Sequence, residues 1–440
     1  MISEYLPLLM FPAMLLSLFA GFPVAFSLMG IGLLFGIIGF EWSIFPMLIR
    51  RIYGVADNYV LAAVPLFIFM GTVLERSGIA GKLFDAISLW TGRLKGGLAI
   101  ATVLMCTIIA ACTGIIGASE VMVGVMVIPV MLKRNYQHAL ICGTICAGGS
   151  LGTLIPPSVV TVVYGPAAGI SVGRLLIASI FPGLLLSSLY IIYIALRSYI
   201  NPLLAPAIPL RELQKPMKEK LFITATALVP PLLLIFAVMG SIVLGFAAPT
   251  EAAALGAFGA LILTAAYGKL TLKALKETVL QTLRISSMMM MILAGGFMFS
   301  GVFLGMGGGA ITEKILMGLP FGRIGILILF LLIALAAGFV LDWASILLIF
   351  IPIFSPIIDK LGFDPIWFGI LFIMMIQTSY LSPPMAPAIF YLKSIVPPEV
   401  TMKEMFQGVV PFLIIQVIGI LITAIFPPIV LWLPSKLIGW

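Results

Sequence analysis

The chain has 440 residues, 62% hydrophobic and 9% charged, with a mean hydropathy of +1.25. A soluble globular chain is about 45–50% apolar and about 25% charged, so this composition excludes a soluble enzyme and leaves a polytopic α-helical membrane protein. The net charge of +8 comes from Lys and Arg between apolar runs, the positive-inside pattern, and not from a nucleic-acid-binding patch.

Short alternating segments of the β-barrel kind are absent. The opening residues, MISEYLPLLMF, carry no basic region and no small-residue cleavage site, and read as the start of a mature span. Cys106, Cys112, Cys142 and Cys146 all fall in apolar stretches, with only His138 to join them. They read as small buried hydrophobes and not as a metal site. No phosphate-binding G-x-x-x-x-G-K-[ST] loop occurs, so nothing here hydrolyses nucleotide.

Leu6 to Phe40 is too long for one crossing of a core about 30 Å thick, and Gly21-Phe22-Pro23 divides it into two spans. Phe45 to Val55, with Arg50 and Arg51, fits an interfacial helix. Asn58 to Leu74 is a third span, and Phe84 to Lys95 is again interfacial. Gly96 to Leu132 admits two readings: two full spans with an outside loop, or a re-entrant hairpin tipped by CTGIIGASE. Arg93 and Lys95 precede it, and Lys133 and Arg134 follow it. The tip has no Lys or Arg, which favours the hairpin.

Residues 143 to 169 are apolar enough for a membrane, yet contain Gly148-Gly149-Ser150-Leu151-Gly152-Thr153-Leu154-Ile155-Pro156-Pro157-Ser158. Proline removes a donor and clashes with the preceding turn, so no helix passes unbroken. Backbone groups freed at mid-membrane cost several kcal/mol each unless something polar meets them. Broken spans of this kind mark substrate and ion sites in secondary transporters. Leu175 to Leu196 is a full span, and residues 198–220, with Arg211, Lys215, Lys218 and Lys220, form a cytoplasmic linker.

The second half, 221–440, repeats this order. Leu221–Leu244 and Thr250–Tyr267 are spans, Leu270–Leu283 is interfacial, and Ile285–Leu304 is a span. Gly322–Ile358 is a hairpin, Trp367–Ser394 is broken at Ser382-Pro383-Pro384, and Phe406–Leu431 closes the chain. Pro249 follows Pro23 by 226 positions, Ser345 follows Ser119 by 226, and Pro383 follows Pro156 by 227. The fold expected is an all-α polytopic membrane protein, an inverted repeat of five spans plus one re-entrant hairpin per half. Residues 1–197 and 221–440 are the repeats. Scaffold spans cover 6–95 and 221–304, and hairpins with broken helices cover 96–169 and 322–394. Positive residues then concentrate on the cytoplasmic side, with both termini outside.

The run AGGSLGTLIPPSVVTVVYGPAAGISVGRLLIASIFPGLLL resembles the signature region of the large membrane subunit of TRAP (tripartite ATP-independent periplasmic) transporters. So do GFPVAFSLMG, PTEAAALGA and the IPVM closing the first hairpin. The tail FYLKSIVPPEVT resembles the mannitol and chloroaromatic-acid branch. The resemblance covers the whole chain. It implies an elevator-type, sodium-driven importer of a small organic acid in the bacterial inner membrane. The partners implied are a small four-helix membrane subunit and a periplasmic solute-binding protein; the runner-up is a self-sufficient divalent-anion/sodium symporter. Two departures stand out: Glu120 follows Ser119 in the first tip, and Met385 follows the second Pro pair where a small residue is expected.

The family reading places one sodium at Gly117, Ser119, Ser150, Gly152 and Thr153, and a second at Asp342, Ser345, Thr378, Ser379 and Ser382. Sodium takes oxygen ligands, which broken helices supply. The bland alternative is that Ser and Thr satisfy only their own or neighbouring helices. Substrate is expected between the tips at Ser119, Thr153, Pro156, Ser158, Ser382 and Pro383, its charge met by dipoles, hydroxyls and sodium. Glu120 and Asp342 are the innermost ionisable groups and read as functional by default. For Glu120 a tip edge wetted from the cytoplasm competes with that reading. Glu251 reads as a helix cap, and the Met288–Met291 run as lipid-facing or core packing.

Overall fold

A computed structural model describes residues 5–114, 117–209 and 214–437. Ile115 and Ile116 of the first tip and Arg211 of the linker lie outside the described residues, as do both chain ends. Every regular element among the described residues is helical, and eight helices are long and apolar enough to cross a membrane.

The division at residues 21–23 is present: Leu6–Phe19 turns at Gly21, where φ is +91°, into Val24–Phe40. The segment read as interfacial is the helix Ile44–Ala56, which follows directly on Val24–Phe40, and the segment read as the third span covers Tyr59–Arg76. The next short helix, Ile79–Thr91, starts one turn earlier than the sequence indicates, because Gly78 at φ +73° already reverses the chain. The first hairpin consists of Gly97–Thr113 and Ala118–Lys133. The first broken span consists of His138–Ser150, the short turn Leu151–Thr153, and Val159–Ala168. The second hairpin is Gly322–Ala337 and Trp343–Lys360, and the second broken span is Pro365–Leu381 and Pro387–Lys393. Both Pro pairs are cis.

Two further boundaries differ from the sequence reading. Leu270–Leu283 and Ile285–Leu304 are not separate; they form one 34-residue helix, Leu272–Gly305. In the first half the corresponding stretch is cut at Asp57-Asn58, where the Asn58 side chain accepts from the Val60 amide at 3.1 Å. The residues 226 positions on are Leu283 and Arg284, which offer no such cap and no Gly or Pro, so the helix continues. The closing segment is likewise two helices, Met402–Ile425 and Pro428–Leu437, parted at Pro427. An additional short helix, Gly308–Met317, stands where Ile79–Thr91 stands in the first half.

The linker is stitched to the first half. Gly96 donates to the Ala205 carbonyl at 2.9 Å, Gln137 to Leu204 at 2.9 Å, and Ile208 to Gly92 at 2.8 Å. These bonds tie it to the turns on both sides of the first hairpin. Glu251 caps its helix as expected, its Oε2 accepting from the Ala248 amide at 2.8 Å.

Candidate substrate and cation site

Each hairpin tip rests on the break of its own half through a glycine. At the first, a Cβ on Gly114 would lie 2.4 Å from the Pro157 carbonyl oxygen, and the Val159 amide donates to the Gly114 carbonyl at 3.4 Å. At the second, a Cβ on Gly338 would lie 2.1 Å from the Ser379 hydroxyl. The distal helices then cross over. Val159–Ala168 packs on the outgoing arm of the second hairpin, and Pro387–Lys393 packs on the outgoing arm of the first.

The two breaks differ in exposure. Residues 151–160 are buried throughout, whereas Ser382 is half-buried and Pro383, Pro384 and Met385 are exposed. Within the first break, the hydroxyls of Ser150, Thr153 and Ser158 donate to the carbonyls of Ala147, Ser150 and Thr153, at 2.8, 2.8 and 2.5 Å. In the second, Thr378, Ser379 and Ser382 donate to Met374, Ile376 and Thr378, at 2.9, 2.7 and 2.9 Å. Every one of these protons goes to backbone, as the bland reading holds. Ser150 apart, whose hydroxyl oxygen also accepts from Gln377 and Gln416 at 3.1 and 3.4 Å, the hydroxyl lone pairs remain available to an acceptor-seeking partner.

Asp342 caps the outgoing arm of the second hairpin: its Oδ2 accepts from the Ala344 amide at 3.0 Å and its Oδ1 from the Ser345 hydroxyl. Ser119 and Glu120 are both buried in the first tip. Glu120 Oε2 accepts from the Tyr380 hydroxyl at 3.4 Å, and its Oε1 has no protein partner. Gly149 makes its room: a Cβ there would lie 2.0 Å from Glu120 Cγ. The cytoplasm-wetted tip edge is therefore not what is observed. Oxygen donors crowd both junctions, a set suited to a hard cation.

Two adjoining cavities, about 580 Å³ and about 530 Å³, lie between the tips and the Leu272–Gly305 helix, and share Met288, Met289, Trp343 and Tyr391. The first tip and break supply Gly114, Gly117, Val159 and Val160 to the larger cavity. The second tip and break supply Gly338, Asp342, Ser379 and Met385 to the smaller. Of the residues named from sequence, Gly117, Asp342 and Ser379 reach these walls. Ser119, Ser150, Gly152, Thr153, Pro156 and Ser158 sit behind the wall in the interior, and Ser345, Thr378, Ser382 and Pro383 flank it.

Sequence reasoning missed four contributors. Met288 and Met289 form the scaffold wall and are not simply lipid-facing or core residues. Arg76 and Glu75 line one end of the larger cavity, although no basic residue was expected there. Arg76 is already engaged, by Glu277 at 2.5 Å and Gln281 at 3.2 Å. No periodicity distinguishes a methionine facing a cavity from one facing lipid, and the Arg76 partner lies 201 positions away.

Paired hairpins seated on paired broken helices define a multi-pass membrane transporter architecture. Residues 11–429 match the family model described as "Tripartite ATP-independent periplasmic transporter, DctM component". The chain belongs to that family, the large permeases of TRAP transporters of the bacterial inner membrane. It is 31% identical to the C4-dicarboxylate TRAP transporter large permease protein DctM of Pseudomonas aeruginosa, covering 88% of this chain and 89% of that one. It is 28% identical to the sialic acid TRAP transporter large permease protein SiaM of Vibrio cholerae, covering 96% and 97%. Among solved structures, the fold resembles the Alcanivorax borkumensis YdaH transporter with a TM-score of 0.65 at 15% identity, covering 99% of both chains.

Proposed function

We propose that this large permease imports a small organic acid, coupled to sodium, by an elevator movement of the hairpins and broken spans against the remaining helices. The observation that carries this reading is the pair of tip-on-break junctions opening onto adjoining cavities. Curated relatives are named for C4-dicarboxylates, sialic acid and 2,3-diketo-L-gulonate, all organic acids. The implied partners are a small four-helix membrane subunit and a periplasmic solute-binding protein that delivers the acid.

Sodium would be held by the oxygen donors of the two junctions, with the carboxylates of Glu120 and Asp342 supplying formal charge nearby. Bound there, the ion would supply positive charge for an anionic cargo that meets no unpaired Arg or Lys on the described walls. Ile285, Met288, Met289 and Ile292 give the scaffold an apolar, adaptable face along which the tips can slide.

The test is uptake into proteoliposomes holding this chain and its small subunit. A sodium gradient and the loaded binding protein should together drive saturable accumulation. Uptake that persists undiminished without the binding protein favours the self-sufficient symporter, and uptake indifferent to sodium removes the coupling.

A further inference from the structure

Away from the cavities, four buried polar side chains from four elements meet. Ser150 ends the first half of the first broken span. Gln377 lies in the second broken span, Gln416 in Met402–Ile425 and Tyr190 in Ile180–Ile200. Both amides donate through Nε2 to the Ser150 hydroxyl oxygen, Gln377 at 3.1 Å and Gln416 at 3.4 Å. The Tyr190 hydroxyl lies against the same three side chains. All four residues are at most 1% exposed. The Oε1 atoms of both glutamines and the Tyr190 hydroxyl have no protein hydrogen-bond partner, a costly arrangement in an apolar interior.

The numbering shows what this cluster is. Gln377 follows Ser150 by 227 positions, the same offset that relates the two Pro pairs, and Gln416 follows Tyr190 by 226. Each residue therefore meets its own counterpart from the other half. Two copies of a patch touch at equivalent positions only where a two-fold axis passes between them. The crossed packing of the distal helices has the same form: each lies on the outgoing hairpin arm of the opposite half.

We propose that a local two-fold axis relating the halves runs through the Ser150–Gln377 contact, and that Gln377, backed by Gln416 and Tyr190, is the positioning residue that sets the first break from the second half. The route is a series of hydrogen bonds joined by the backbone of the residues between them. Gln377 donates to the Ser150 hydroxyl, the Ser150 carbonyl accepts from Thr153, and the Thr153 carbonyl accepts from Ser158. The next residue, Val159, donates to the Gly114 carbonyl in the first tip. Ser150 thus spends its hydroxyl on joining the halves, not on holding an ion. The two breaks keep a fixed relation while the tips work. This rests on the transport reading given above for its functional part, while the contact itself is testable without transport.

The closing experiment uses the full chain with its small subunit. The exchange Ser150→Gln with Gln377→Ser re-forms the same pair from opposite sides of the axis. Each single change should lower turnover tenfold or more, and the exchange should return it to within threefold of the parent. An exchange no better than the worse single variant, in protein that melts normally, overturns the proposal. Gln377→Met keeps the volume and removes only the hydrogen bond. It should lower turnover at least fivefold with substrate KM changed less than twofold, and parental turnover would overturn the positioning role. Should the exchange fail to fold, this variant decides alone. In protein freed of its four native cysteines, Ser150→Cys with Gln377→Cys should be bridged by mercuric ion whether or not the preparation transports. Absence of the bridge sinks the axis, whereas a bridge formed in a protein whose unsubstituted parent does not transport sinks only the transport reading. Bridging should leave the residual turnover of the Cys pair within twofold of its unbridged value, and a further tenfold block would overturn the fixed relation of the two breaks.

Discussion

The Pro157 carbonyl oxygen occupies the space a side chain on Gly114 would need, 2.4 Å from where its Cβ would stand. Gly114 also has φ +59°, a conformation that costs an L-residue free energy. Both facts make the first tip's seat on the first break depend on one missing methyl group. Gly114→Ala should cost about 1–3 kcal/mol of local strain. It should lift the tip and cut uptake by about tenfold or more, since 1.4 kcal/mol is already a factor of ten. Global melting should move little, because the helices on either side remain packed. Uptake equal to the parent's would show that the seat is not used.

Gly149 and Glu120 share one volume. A Cβ on Gly149 meets Glu120 Cγ at 2.0 Å, so Gly149→Ala overpacks the interior and should destabilise the protein by about 1–3 kcal/mol. Shortening the other partner relieves the clash. The double variant Gly149→Ala with Glu120→Ala, which has no γ atom, should therefore melt higher than Gly149→Ala alone. If the second change instead adds to the first, the two side chains do not compete for the same space.

Asp342 has two separable jobs. As the cap of Trp343–Lys360 it needs an oxygen acceptor, and as the cavity-wall partner of the sodium ion proposed above it would need charge. Asp342→Asn keeps the cap and removes the charge, so melting should change by only a few tenths of a kcal/mol. Asp342→Ala loses both, at about 1 kcal/mol. If the charge serves sodium, the half-saturating sodium concentration should rise in both variants, by about tenfold. An unchanged sodium response in Asp342→Asn would confine Asp342 to capping.

Met289 lines both cavities from the scaffold side. Met289→Trp should fill the shared space and depress uptake about tenfold, because a site of a few hundred Å³ leaves little room beside an indole. Binding of the small subunit should be unaffected. Full uptake by that variant would place the cargo elsewhere.

Much of this molecule was legible from residue order alone, for physical reasons that are local. A proline pair in a glycine- and serine-rich stretch breaks a helix, so the interruptions at Pro156-Pro157 and Pro383-Pro384, the turn at Gly21 to Pro23 and the near-constant offset between halves needed no coordinates; Pro230-Pro231, in an aliphatic stretch, instead stays inside the helix Met217–Val243. The hairpin reading of residues 96–132 followed from the absence of Lys and Arg at its tip. Other features are set by partners far along the chain. No local signal separates Leu272–Gly305 from two helices except the lack of a cap at Leu283 and Arg284. Nor does any periodicity tell Met289 facing a cavity from Met289 facing lipid. The seat of Gly114 on Pro157, the room Gly149 gives Glu120, and the meeting of Ser150 with Gln377 arise only when helices pack. Sequence determined where the backbone must break, because breaking is a property of adjacent residues; tertiary structure decided what each break touches, because contact is a property of distant ones.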